Sequence, residues 1–378
     1  MPNTNNIIVK VVKTKKEQKQ FLDFTLKLYK NNPYFAPPLY MDEKKIFSKD
    51  YVYNDQAESI FFNAYKNGKM VGKISGIIQH VANTKNNQKR VRFTRFDAIN
   101  DQNVANALFD AVTSWAKEKG MDTIVGPLGY SDMEREGLLI EGFDQLSTFE
   151  EQYNYDYYQS LVENYGFVKE VDWNERKLYA PKVKDDRLKR LSSKMMERYH
   201  LKFGEAKNTK EFLKKYANKF FDIVDKTYDE IYGSVPFTDK TRKMMISNFN
   251  LVIDMRHVYV IVDENDNVVC FGICFPSITK ALQKSQGHLT LPAVIKLLKA
   301  IKQPKVLDLG LIGVLPEYRR NGIGSALIAK VMDVLENGGI EYCETNLNLE
   351  DNESIQNQWK AFDCVLHKRR RCYVKTID

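Results

Sequence analysis

Two hydrophobic rhythms alternate along this chain, one of period two and one near 3.6 residues, and they recur in the same order in each half. Ile7 to Val12 reads as a strand, and Phe21, Leu22, Phe24, Leu26 and Leu28 fall close to helical spacing. After a loop holding Pro33, Pro37 and Pro38, the stretch Phe61 to Ile78 carries Asn67-Gly68 between two apolar segments. That pair predicts a hairpin, because glycine tolerates the positive φ of tight turns. A strand follows at Arg90 to Ala98. Val104, Ala105, Leu108, Phe109, Val112, Trp115 and Ala116 then mark one face of a helix that Gly120 is placed to end. A short strand at Thr123 to Val125, a long loop, a helix near 157–165 and a strand pair within 168–179 complete the first half.

A charged stretch, Lys182 to Lys194, reads as a linker and divides the chain into residues 1–185 and 186–378. Beyond it the pattern predicts a strand at 201–205, a helix at 212–232 and a hairpin at 258–275 turning at Asn265-Asp266-Asn267. Leu291 to Ile301 reads as an inserted helix with a stripe of Val294, Ile295, Leu297, Leu298 and Ile301. A strand at 306–314, a helix at 322–335, a strand at 340–349, a helix at 354–362 and a strand at 365–374 end the order. Hairpins first and strand–helix crossovers later predict an α/β chain, specifically an α+β mixed sheet with helices on both faces.

Composition narrows the chemistry only slightly. The 378 residues carry a formal net charge of +8, which suits an anionic cofactor as well as it suits a nucleic acid. Five cysteines, Cys270, Cys274, Cys343, Cys364 and Cys372, lack a CxxC pair and any histidine at ligand spacing. They are expected to be reduced thiols in strands, with no metal site and a cytoplasmic location. No basic segment followed by an apolar one opens the chain, and no uncharged run of about 18 apolar residues occurs, so neither export nor a membrane partner is expected. The five histidines, His80, His200, His257, His288 and His367, read as surface or packing residues. The run His367-Lys368-Arg369-Arg370-Arg371 reads as a basic edge strand that resists aggregation.

The most informative stretch runs from Leu309 to Ile328. A strand gives way to the turn Arg319-Arg320-Asn321-Gly322-Ile323-Gly324-Ser325 and then to a helix with Ile323, Ala326, Leu327, Val331, Val334 and Leu335 on one face. Such a turn aims unpaired backbone N–H groups and the positive end of a helix dipole at one point, which makes a site for a phosphate or pyrophosphate. Gly322 and Gly324 let the anion approach closely, and Arg319 and Arg320 add charge. The Gly-x-Gly-x-x-Gly of dinucleotide sites and the Gly-Lys-Ser/Thr of nucleotide loops are both absent.

With Val314-x-Pro316-Glu317-Tyr318 before it, Arg319-x-x-Gly322-x-Gly324 resembles the coenzyme A turn of the GCN5-related N-acetyltransferases. The resemblance covers roughly residues 196–378. It implies acetyl-CoA or another acyl-CoA as cofactor, pairing of its pantetheine arm with the backbone of Ile312, Gly313 and Val314 at a bulge, and a cofactor contact or helix cap at Asn352. It further implies direct acyl transfer to a small-molecule or peptide amine. The first half resembles a degenerate second copy: its matching connection, Phe96 to Asn103, holds Asp97 and Asp101 and no glycine, so two tandem acyl-CoA N-acyltransferase-like domains are expected, the first structural or acceptor-shaping.

Acyl transfer to an amine needs a proton acceptor and profits from a general acid. Glu344 shares a strand face with Asn346 and Asn348 and is a candidate base, and Asp308 on the preceding strand is its competitor. The acid the family usually supplies is a Tyr in the penultimate helix; Trp359 stands there instead, leaving Tyr342, Tyr318 or Tyr373. The aromatic segment Tyr228 to Phe237 is expected to shape the acceptor pocket, faced by Tyr153 to Tyr158. Two rival functions stay open: a tRNA-dependent aminoacyltransferase of the peptidoglycan-bridge type, with nucleic acid otherwise not expected, and a coenzyme A-binding sensor or scaffold without turnover.

Overall fold

The computed structural model describes residues 7–183, 186–319 and 321–377. The first half runs β1 (Ile7–Val11), α1 (Lys15–Leu28), α2 (Tyr40–Lys45), β2 (Ala57–Lys66), β3 (Lys69–Gln79), α3 (His80–Lys85), β4 (Arg90–Ala98), α4 (Gln102–Glu118), β5 (Thr123–Gly126), β6 (Leu138–Glu141), α5 (Tyr157–Asn164) and β7 (Val168–Tyr179). The second runs α6 (Arg187–Arg198), β8 (Lys202–Phe203), α7 (Thr209–Tyr228), α8 (Asp239–Val252), β9 (Val258–Val262), β10 (Val268–Pro276), α9 (Thr279–Gln283), α10 (Leu291–Lys302), β11 (Val306–Val314), α11 (Pro316–Arg319), α12 (Gly324–Asn337), β12 (Tyr342–Thr345), β13 (Asn348–Leu349), α13 (Glu353–Gln358) and β14 (Asp363–Thr376).

The expected hairpins form. Asn67 and Gly68 both take positive φ between β2 and β3, and Asp266 does so between β9 and β10. Several segments depart from the sequence reading, among them the strand expected at 340–349, which breaks into β12 and β13. The stretch read as a linker is largely α6, whose Met195 and Met196 pack beside Ala326 and Leu327 of α12. The single helix expected at 212–232 ends at Tyr228, and a second one, α8, starts at a Thr238–Thr241 capping box. Residues 168–179 form one twelve-residue strand and not a pair.

Among the described residues a mixed sheet of fourteen strands runs through both halves; twelve follow the order β1-β2-β3-β4-β5-β14-β7-β12-β11-β10-β9-β8, while β6 pairs with β14 and β13 with β7. The last long strands are exchanged. β14, from the end of the chain, pairs with β5 of the first half, and β7, from the end of the first half, pairs with β12 of the second. The two exchanged strands pair with each other over most of their length, antiparallel, from Asp363↔Tyr179 to Val374↔Val168. Each half therefore completes its sheet with the other's strand.

This overturns the reading of 367–371 as a basic edge. β14 lies in the middle of the sheet, and Lys368 and Arg370 are 1% and 0% exposed. The Lys368 Nζ lies 2.6 Å from Glu151 Oε2, 2.5 Å from Glu175 Oε2 and 2.8 Å from Glu344 Oε1. Arg370 Nε donates to Glu175 Oε1 at 2.6 Å. His367 Nε2 is 3.2 Å from Glu344 Oε1, and burial holds the imidazole below its ordinary pKa and thus neutral at pH 7. Glu175, Glu344 and His367 cluster as metal ligands can, yet the cation among the carboxylates is the lysine's own ammonium.

The carboxylates come from three separate places: the loop before α5, β7 and β12. A buried charge left without its partner costs about 3–5 kcal/mol. Lys368→Met is expected to lower unfolding stability by about that amount in a urea titration. Adding Glu175→Gln should recover part of the loss, whereas a loss unchanged in the double variant would mean that packing, not charge, was removed.

Candidate active site

β11 and β12 pair in parallel only from Val306↔Tyr342 to Leu309↔Thr345, and beyond that they part. Two local features drive them apart. The register of β10 against β11 slips between Ile273 and Cys274, leaving Gly310 as an extra residue in β11. A Cβ at Gly310 would come within 2.2 Å of the Phe275 ring. The Asn346 side-chain amide donates to the Gly310 carbonyl across the gap. The irregularity thus falls at Gly310, three residues before the position read from the sequence; Gly313 is glycine because a Cβ there would sit 2.3 Å from the Phe271 ring.

Past the gap, Ile312 offers its backbone groups to no strand. The Tyr228 hydroxyl at the end of α7 takes both, donating to Ile312 O at 3.0 Å and accepting from Ile312 N at 3.3 Å. Burial pushes this hydroxyl well above the ordinary tyrosine pKa, so it stays a donor at all physiological pH. Val314 O accepts from Arg319 Nε at 3.2 Å. The edge expected to take a pantetheine arm, Ile312 to Val314, is held by two side chains of the same chain.

The turn that follows is open. Gly322 has φ +70° with no atom within 4 Å of where a Cβ would stand. The Ser325 amide and hydroxyl both donate to Gly322 O, Asn321 Nδ2 donates to Glu317 O, and Ile323 is wholly buried beside Ala326 and Leu327. α12 begins at Gly324 with no side-chain cap. Arg320 lies outside the described residues. A 14-residue helix with an uncapped, glycine-lined N-terminus and an exposed arginine beside it fits the diphosphate of a coenzyme A.

The first half shows the contrasting case. The Asp101 carboxylate caps α4 by accepting from Asn103 N at 3.0 Å, so an anion already occupies that helix end. Asp97 is buried against Lys73 and takes hydrogen bonds from the hydroxyls of Thr25, Tyr29 and Tyr158. Tyr157 and Tyr158 hydroxyls satisfy the Ala98 carbonyl and amide. These tyrosines pack in the first half's core and do not face the Tyr228 to Phe237 segment as expected.

The first half instead contributes Asp132 and Met133. They line a small cavity of about 80 Å³ with Asp225, Tyr228, Val235 and Phe237. Burial pushes the Asp132 carboxyl up to about 6. Glu136 is 6% exposed, burial and the Asp132 charge hold its carboxyl well above the ordinary value, and its Oε2 has no hydrogen-bond partner. Neither acid was singled out from the sequence; two acids four apart in a long loop gave no sign of which partner they would meet.

The two expected bases differ sharply. Both are buried, and register places Asp308 opposite Glu344 on adjacent strands. Burial raises the Glu344 carboxyl, but the Lys368 ammonium and the neighbouring His367 outweigh it, so it stays ionised and paired. Asp308 has no cation. Burial, then Glu344, Glu151 and Glu150, hold its carboxyl well above the ordinary range, and its Oδ1 has no partner. Of the expected acids, Tyr342 sits at the start of β12, away from the parting of the strands. Tyr373 belongs to the first half's core and donates to Glu163. Tyr318 packs beside α12. Trp359 is a structural residue, its indole donating to Asn348 Oδ1 at 2.7 Å, and Asn352 caps α13 through Ile355 N.

Comparison with known proteins agrees with this geometry. Residues 218–356 match the model of the acetyltransferase (GNAT) family. The chain is 26% identical to Protein YghO of Escherichia coli (strain K12), over 98% of this chain and 95% of that one. It is also 26% identical to the bacterial ceramide synthase of Caulobacter vibrioides (strain NA1000 / CB15N), over 97% and 96%. Among solved structures, a tandem GNAT protein from the clavulanic acid biosynthesis pathway superposes with a TM-score of 0.57 at 11% identity, covering 99% of this chain and 98% of that one. The parted strands and glycine turn thus lie within the segment that matches the GNAT acetyltransferase family, and the chain as a whole has the fold of a tandem GNAT protein.

Proposed function

We propose that the second half of this chain binds an acyl-CoA and transfers its acyl group to an amine, with Asp308 taking the proton that the amine must lose. The observation that carries the reading is the parting of β11 and β12 directly before an uncapped helix N-terminus. Bound acyl-CoA supplies an activated thioester carbonyl. The amides of the 322–324 turn and Arg319 hold the diphosphate, and the backbone of Ile312 to Val314 aligns the arm once Tyr228 releases it. The present cavity, far below the roughly 300–1,000 Å³ of a ligand pocket, supports such an opening.

Asp308 suits the base because its high proton affinity lies closer to that of an amine than an ordinary carboxylate's does. Around it three carboxyls, Glu151, Glu175 and Glu344, share two cations, Lys368 and Arg370, so an incoming ammonium would meet more carboxyls than cations on that face. The name of the Caulobacter relative, a ceramide synthase, supports an amine carrying a lipid chain as one member of the acceptor class.

Thermal melting with and without acetyl-CoA tests the binding step. Acetyl-CoA at a hundred times its Kd should stabilise the protein by about 2.7 kcal/mol. Gly322→Val should remove that shift while changing the unliganded melting by no more than about 2 kcal/mol. A Tm moved by tRNA and not by any acyl-CoA would defeat the reading.

Tyr228→Phe deletes the hydroxyl that competes for Ile312. Calorimetry should find acyl-CoA binding about 2- to 10-fold tighter in this variant; weaker binding would make Tyr228 a cofactor contact instead.

Asp308→Asn should lower kcat by about 10²–10⁴-fold and leave the acyl-CoA melting shift intact. The sign of the pH dependence follows from the raised proton affinity of Asp308. A base must be ionised, so in the wild type kcat/KM should fall as pH drops through a limb lying above the ordinary carboxylate range. A limb at the usual carboxylate value would point to another base.

A further inference from the structure

The inserted helix α10 presents two apolar faces, and only one of them is covered. Ala293 and Leu297 are buried, the latter in a cluster with Leu39, Ile278, Ala281 and Leu282. Leu291, Ile295 and Leu298, spaced i, i+4, i+7, share a different side of the helix and are 75%, 60% and 61% exposed. Leu289, just before the helix, is 38% exposed. The stripe read from the sequence therefore splits, with Leu297 turned inward and Ile295 and Leu298 outward.

The segment that carries that face is wholly cationic. From Pro276 to Lys305 the chain has six lysines, Lys280, Lys284, Lys296, Lys299, Lys302 and Lys305, and no Asp or Glu. All six are exposed, and among the described residues none forms an ion pair with a carboxylate. Elsewhere this protein pairs its surface lysines freely, as Lys19 with Asp23 and Lys240 with Asp55. An exposed Leu–Ile stripe flanked by unpaired lysines is the pattern of a helix lying in a lipid interface, its apolar residues below the headgroups and its ammonium groups at their level.

We propose that α10 docks this protein onto an anionic lipid surface. Charge complementarity commits the face to that occupant: six unpaired ammonium groups need a surface of negative charge, and four exposed aliphatic side chains need somewhere apolar to go. No described helix is long and apolar enough to cross a membrane, so the contact is peripheral. The position is apt. Phe149 packs on the cluster beneath α10, and the next two residues, Glu150 and Glu151, face Asp308. The covered face of α10 thus packs next to residues whose charges act on the candidate base, which suits an amine or an acyl chain drawn from lipid; the docking itself does not rest on the acyltransferase reading.

Co-sedimentation with vesicles tests it. The full chain should pellet with vesicles of phosphatidylcholine mixed with phosphatidylglycerol, not with phosphatidylcholine alone, and high salt should weaken the binding. Two exposed-surface variants separate the contributions: Leu291→Gln/Ile295→Gln/Leu298→Gln, and Lys296→Glu/Lys299→Glu/Lys302→Glu. Each should cut vesicle binding by about tenfold or more and leave the unliganded melting temperature and any acetyl-CoA shift unchanged. Equal binding by wild type and both variants, or no binding of wild type to anionic vesicles, would overturn the proposal. So would a concentration-dependent dimer in solution that the triple glutamine variant dissolves, because the face would then belong to a second copy. Loss of the acetyl-CoA shift in wild type with vesicle binding intact would defeat the acyltransferase reading alone.

Discussion

The structure depends on an ammonium group shared by three carboxylates in the middle of the sheet. Lys368 sits on a strand from the end of the chain, Glu175 on the strand that ends the first half, Glu344 on β12 and Glu151 on a loop of the first half. A hydrophobic side chain at 368 would satisfy burial but would say nothing about which strands lie beside it. The charges do, because each carboxylate is tolerable in the interior only if this lysine, with Arg370, arrives at its side. Whatever its net stability, the network ties the register of β14 to β7 and β12, and with it the exchange of strands between the halves.

Local side chains, not the exchange, decide which half keeps an uncapped helix end. Both copies place a strand, a turn and a helix in the same order, so both generate a helix N-terminus with unpaired amides. In the first, Asp101 fills it, Asp97 is locked by Lys73 and three hydroxyls, and Tyr157 and Tyr158 close the strand edge. Every polar group there is satisfied from within. In the second, the helix end stays uncapped, Gly322 faces empty space and Asp308 Oδ1 has no partner. With its helix end filled internally, the first copy supplies a frame, the exchanged strand and two acids, Asp132 and Glu136, of which Asp132 lies beside the Tyr228 that holds the other copy's strand edge.

What could be read from the sequence follows the range of each interaction. The glycine turn is local: Arg319, Gly322 and Gly324 lie within six residues and their chemistry is in the backbone, so the open turn and the helix start behind it were legible. So was the alternation that gives the hairpins and the helix faces. The basic run 367–371 was misread because the residues that neutralise it stand some 20 to 220 positions away, at Glu344, Glu175 and Glu151, and nothing in the run itself distinguishes a solvated edge from a buried centre. The α8 helix was missed for a related reason: its apolar residues are spaced unevenly and divide between two distant partners, Met245, Ile246 and Phe249 packing with α7 in the second half's core and Met244 with a cluster of the first half. Tyr228 was legible as pocket-forming, but its hydrogen bonds to Ile312, 84 residues on, were not.

Choosing between Asp308 and Glu344 shows how pairing separates structural from chemical carboxylates. Both are buried, on the same face, in register, and in sequence they look alike. Glu344 has a lysine at 2.8 Å, so protonating it would strand that ammonium; its charge is committed to the fold. Asp308 has no cation to lose by holding a proton and the charges acting on it are other acids, so the same burial that makes Glu344 a strut makes Asp308 a group whose charge costs energy until a cation comes. A protonated amine is such a cation. In the proposed reaction its approach would favour the ionised carboxylate, which would then be placed to remove the proton that stands between the amine and attack.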